Sequence, residues 1–134
     1  MTDITGCSGV EVRSTKNKGR GVFARRSFRR SETIESVPVI FIPGDQKAHI
    51  QSTVLDLYVY KFGPEDTHLV IALGYGSLYN HSFSPNADFI RSWEEQLIHF
   101  VAVRDIEEGE EITVNYNGTP DDQSPIWFDV VEAE

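Results

Sequence analysis

One cysteine, Cys7, is all the thiol chemistry the chain holds, so no internal disulfide can staple it. The four histidines, His49, His68, His81 and His99, include no two spaced as zinc ligands usually are, and no metal site is expected. Apolar residues make up 40% of the chain, but no run of them approaches the ~20 residues of a membrane span. Residues 1–9 are small and polar, without the basic-then-apolar pattern of a secretion signal. These absences point to a cytoplasmic or nuclear protein, in a host nucleus if the source is viral or a secreting bacterium. They also leave a core built from ordinary packing alone.

Positive charge is scarce, and its scarcity is uneven. The 134 residues carry a net charge of −9. Residues 1–67 hold ten Lys/Arg against eight Asp/Glu, whereas residues 68–134 hold two against thirteen. A negative field favours cationic partners and opposes the phosphates of nucleic acid. The expectation is a basic protein or peptide partner, with neither direct nucleic-acid binding nor a membrane. The run Arg25-Arg26…Arg29-Arg30 reads as a solvated loop with Phe28 as its anchor.

Frequent punctuation and short periodic runs predict many short strands. Strands are expected over residues 10–14, 21–24, 33–42, 68–73, 87–93, 97–103 and 112–116. A turn lies at 16–21, a hairpin loop at Glu94-Glu95-Gln96, and another turn at 107–110. Pro38 belongs at a sheet edge or a bulge, because it brings no amide to a ladder. Residues 49–62 fit two templates: Val54, Leu55 and Tyr58 are spaced as on a helix, while Leu55, Leu57 and Val59 alternate as on a strand.

Three blocks carry chemistry. Gly19-Arg20-Gly21 is a turn whose small residues allow close approach of backbone to a ligand. Tyr79-Asn80-His81-Ser82 follows an apolar, glycine-bearing lead-in and precedes Ser84-Pro85-Asn86-Ala87. Gly109-Glu110-Glu111-Ile112-Thr113 runs into Tyr116. In this order and spacing the blocks resemble the signatures of the SET-domain family, protein-lysine methyltransferases that use S-adenosylmethionine. The resemblance covers roughly residues 10–116.

The resemblance implies a mainly β fold of small curved sheets, a C-terminal pseudoknot and few short helices. It divides the chain into a flexible N-terminus (1–9), a SET domain (10–118) with a variable insert near 44–67, and a flanking segment (119–134). It implies cofactor binding by Lys18, Gly19, Arg20, Gly21, Tyr79, Asn80, His81, Tyr116 and Trp127. It implies a lysine channel formed by Tyr58, Leu78, Tyr79 and Tyr116, with Tyr60 as the alternative to Tyr58. Tyr116 is the expected catalytic residue. Trp127 and Phe128 would close the pocket from the C-terminal side. Glu110 and Glu111 look like an acid/base pair, but residues at a turn of this kind shape structure more than they move protons. Asn117-Gly118-Thr119 stands where similar minimal members carry a second aromatic. A homodimer is expected, to complete the substrate groove. The competing reading is a non-catalytic module that grips basic peptides.

Overall fold

Alternation is clearest over residues 87–102, and there the computed structural model forms a regular hairpin. It describes residues 9–64 and 67–126. Strand β7 (Ala87–Ser92) pairs antiparallel with β8 (Leu97–Ala102). Ile98, Phe100 and Ala102 turn inward and are fully buried, while Leu97, His99 and Val101 alternate outward. The remaining strands among the described residues are β1 (Val10–Ser14), β2 (Arg20–Ala24), β3 (Thr33–Ile42), β4 (Val59–Phe62), β5 (His68–Ala72), β6 (Asn80–His81) and β9 (Glu111–Val114).

They form two sheets, ordered β1-β2-β9-β6 and β4-β5-β3-β8-β7. Strand β3 joins both halves of the second. Thr33 to Pro38 pairs with β8, and Val39 to Ile42 pairs with β5. Pro38 therefore sits neither at the sheet's edge nor at a bulge. It marks the handover between partners, where a missing amide costs least, and its carbonyl accepts the Leu73 amide at 3.0 Å. The register shift in β3 lies instead between Thr33 and Glu35.

The ambiguous stretch obeys both templates in turn. A five-residue helix, α1 (Lys47–Gln51), and a 3-10 turn (Val54–Leu57) come first, and β4 follows. Thr53 separates the two helical pieces. Its hydroxyl donates to the Ile50 carbonyl at 2.7 Å and accepts the Leu55 amide at 3.2 Å.

The second sheet curls until its two edge strands meet through side chains. The rings of Tyr60 and Phe89 lie 4.9 Å apart, Arg91 Nη1 donates to the Lys61 carbonyl at 2.7 Å, and Phe62 meets Trp93 at 5.8 Å. This β4–β7 seam makes the sheet a partly open barrel around Phe100, Ile98 and Val70.

The first sheet holds the topological feature on which the site depends. Strands β6 and β9 are parallel, with Asn80 opposite Thr113 and His81 opposite Val114. A parallel pair needs a long crossover, and the β7–β8 hairpin and the turn after it supply one. Asn86, fully buried, locks the crossing: its Nδ2 donates to the Glu111 carbonyl at 2.7 Å and its Oδ1 accepts the Thr113 amide at 2.9 Å. The chain beyond β9 then runs back along the 79–83 segment, where Gln123 Nε2 donates to the Phe83 carbonyl.

Candidate active site

The turn before β2 is tied to β6 and β9 by a small polar cluster. Lys18 Nζ meets Glu111 Oε1 at 2.6 Å, with both side chains largely buried. Asn80 Nδ2 donates to Glu111 Oε2 at 2.8 Å and to the Arg20 carbonyl at 3.0 Å. Gly21 is glycine because of this cluster. A Cβ there would stand 2.5 Å from Glu111 Oε2 and 2.8 Å from Asn80 Nδ2. Gly19 has another reason: its φ of +72° suits the turn, and nothing lies within 4 Å of an added Cβ.

Tyr116 is anchored twice by the neighbouring segment. Its amide donates to His81 Nδ1 at 2.9 Å, and its hydroxyl donates to the Tyr79 carbonyl at 2.7 Å. His81 is buried, with its ring edge-on to Phe83. Accepting an amide proton, its Nδ1 carries none. Burial, then the charge of Glu111 and the presence of Tyr58, raise the Tyr116 phenol well above the ordinary tyrosine range. It is a neutral hydrogen-bonding group at any ordinary pH. Tyr60 is raised as well, first by burial, and its hydroxyl donates to the Gly76 carbonyl at 2.7 Å.

Two cavities open on this frame. The smaller, ≈ 440 Å³, is bordered by the 18–20 turn, the 77–80 segment, Leu57, Tyr58 and Tyr116. The larger, ≈ 640 Å³, lies between the insert, the β4–β7 seam and residues 116–118 and 125–126. Both are in the range of ligand sites. They share Leu57, Tyr58, Ser77, Tyr79 and Tyr116 as a common wall.

The expected residues distribute unevenly over this geometry. Lys18, Gly19, Arg20, Tyr79, Asn80 and Tyr116 border the smaller cavity. Gly21 and His81 border neither and stand behind it, where they hold Glu111, Asn80 and Tyr116 in place. Leu78 borders the smaller cavity only, whereas Tyr58, Tyr79 and Tyr116 border both. Tyr58 touches both cavities and Tyr60 only the larger. The Tyr79 ring belongs to the core: it stacks on Phe100 at 4.2 Å and its hydroxyl donates to buried Glu35 at 2.6 Å. Trp127 and Phe128 lie outside the described residues.

Sequence reasoning missed Glu35 and Asn86, and gave Glu111 no partner. The signal for Asn86 was present in its turn. Glu35 carried none, because a charged residue on a strand reads as surface. Glu110 is structural too. Burial pushes its carboxyl up, but the Glu107 amide, Arg104 and Asn86 outweigh burial and hold it below the usual range.

Curled sheets, the parallel β6–β9 crossing and two cavities with a common wall define the site. Residues 19–117 match the SET domain model. The chain belongs to the SET-domain family of protein-lysine methyltransferases. It is 33% identical over 123 residues to a Schizosaccharomyces pombe histone-lysine N-methyltransferase specific for H3 lysine-37, covering 91% of this chain and 78% of that protein. It is 34% identical over 122 residues to Drosophila melanogaster histone-lysine N-methyltransferase Set8, covering 82% of this chain but only 18% of the fly protein. Among solved structures it resembles a Plasmodium falciparum protein described as a histone methyltransferase (TM-score 0.64, 25% identity, 81% of this chain and 92% of that one). It also resembles CpSET8 from Cryptosporidium (TM-score 0.65, 26% identity, 87% and 59%).

Proposed function

We propose that the chain moves a methyl group from S-adenosylmethionine to the side-chain amine of a lysine in a partner protein, with histones as the first candidates. The observation that carries this reading is the wall common to the two cavities. A transfer between two bound molecules needs two pockets meeting at one point, and Tyr58, Tyr79 and Tyr116 stand at that point.

The smaller cavity suits the cofactor. Lys18 offers an ammonium for a carboxylate, the open turn at Gly19 leaves room beside it, and Leu57, Leu78 and Tyr58 supply apolar surface. When bound, the cofactor supplies a methyl group activated by its positively charged sulfur. The rest is the protein's part. A free lysine, with pKa ~10.4, is an ammonium and no nucleophile. Walls of Tyr58, Tyr60, Phe89 and Tyr116 disfavour that charge and lower the pKa by desolvation. The Tyr116 proton is committed to the Tyr79 carbonyl, so its oxygen lone pairs are left to accept from the amine and aim it. Tyr116 is in this scheme an orienting group and not a base; the lysine releases its proton to water as it enters the desolvating channel. Fixing the amine supplies part of the ~7–11 kcal/mol available from proximity.

The test is incubation with methyl-labelled cofactor and a panel of basic proteins, histones included, beside Tyr116→Phe. Label on a specific lysine, lost in the variant, is the expected result. Cofactor binding without transfer to any protein would favour a binding module instead.

A further inference from the structure

We infer that the mouth of the larger cavity selects a lysine with a carboxylate side chain close to it in sequence; this rests on the proposed function. The acidic half of the chain suggests the opposite, a negative surface gripping a uniformly basic segment. The charged groups are not arranged that way. Lys47 of α1, Lys61 of β4 and Arg91 of β7 border the larger cavity, and Asp56 is the one acidic residue among its described lining. In a chain with 12 basic and 21 acidic residues, the described lining of this mouth reverses the overall balance. The acidic residues of the 94–95 hairpin and the 107–111 turn border neither cavity.

Of the three cations, Arg91 is held in position by the fold. Arg91 Nη1 donates to the Lys61 carbonyl at 2.7 Å, so the guanidinium and Lys61 occupy one stretch of the β4–β7 seam. Lys47 comes from the helix on the insert. Lys61 is exposed and Lys47 half-buried.

Such a rim acts on an incoming peptide in two ways. Its field adds to desolvation in favouring the neutral amine of the target lysine. It also repels cationic neighbours, which no transfer chemistry offsets. A glutamate or aspartate within about three residues, ~10 Å of extended chain, would meet Lys61 or Lys47 and offset that repulsion. The selected lysine is therefore one in a mixed-charge setting, whatever the net charge of the protein that carries it.

Two synthetic lysine peptides, identical except for Glu or Lys at the flanking positions, test this. Their binding is read by fluorescence anisotropy and their methylation by label from S-adenosylmethionine. The wild-type chain should favour the Glu-flanked peptide by about tenfold at low salt, at roughly threefold for each of two flanking positions, with the gap narrowing as salt rises. Lys47→Glu/Lys61→Glu changes only the rim, and should invert the order with an unaltered melting temperature. Equal binding, a preference for Lys flanks, or a preference unmoved in the double variant would overturn the inference. A Glu preference in binding with no methyl on either peptide would leave charge selection standing and sink the transferase reading.

Discussion

Tyr116 and Tyr79, 37 residues apart, are joined by a hydrogen bond of 2.7 Å from the hydroxyl of one to the carbonyl of the other. The tyrosine is thereby locked onto the segment that also forms the wall between the two cavities. Its position follows from the parallel β6–β9 pairing, and its protonation state follows from burial.

Tyr116→Phe removes the donor and leaves the Tyr79 carbonyl without it. Loss of stability of about 1–2 kcal/mol is expected, with cofactor affinity retained. Turnover should fall about a hundredfold, or ~2.7 kcal/mol of barrier. Denaturant titration, calorimetry with S-adenosylmethionine and a labelled-transfer assay separate the three effects. Undiminished turnover would remove Tyr116 from the mechanism.

Lys18 and Glu111 form a largely buried pair, so removing one partner strands the other. Lys18→Met should cost about 3 kcal/mol. Lys18→Met/Glu111→Gln should cost less than the sum of the single changes, because the stranded charge is gone. Both should weaken cofactor binding. Additive losses in a urea double-mutant cycle would argue against coupling.

Gly21→Ala drives a methyl group into Glu111 and Asn80. A cost of about 1–3 kcal/mol is expected, with weaker cofactor binding, since the Lys18 anchor moves. Gly19→Ala meets no atom and pays only for the left-handed backbone, about 1 kcal/mol. Thermal melts of the two variants should rank them in that order.

Alkaline pH provides a fourth check. Tyr60 and Tyr116 have folded-state pKa values above the unfolded value of ~10. Their contribution is full below pH ~10 and is lost as pH rises toward the folded values. Tyr60→Phe should be less stable than wild type by about 1 kcal/mol at pH 8, through loss of its bond to Gly76. The gap should shrink at pH 11, and a constant gap in urea titrations would contradict the assignment.

The strands were legible where neighbours in sequence are also neighbours in space. The β7–β8 hairpin follows from alternation and from a turn in which Gln96 takes φ +58°. The turn at 107–110 follows from Gly109, whose φ is +90°. Tyr116, Asn80 and Lys18 were legible only through resemblance to a family, because 93 residues separate Lys18 from Glu111. No local pattern reports such a contact. The insert resisted a single assignment because it changes geometry at Tyr58, between the 3-10 turn and β4. Glu35 read as surface because, as with Lys18, its partner is distant: the Tyr79 hydroxyl reaches it from 44 residues away.

The contact between Tyr60–Phe89 and Arg91–Lys61 has a consequence for colloidal behaviour. Edge strands are templates for pairing with other chains. Here one edge is capped by a guanidinium on its carbonyl and by an aromatic ring from the opposite edge. Weakening the cap by Arg91→Ala would leave the buried core in place but uncover β4. Such a protein would fold, melt near the parent temperature, and precipitate on standing.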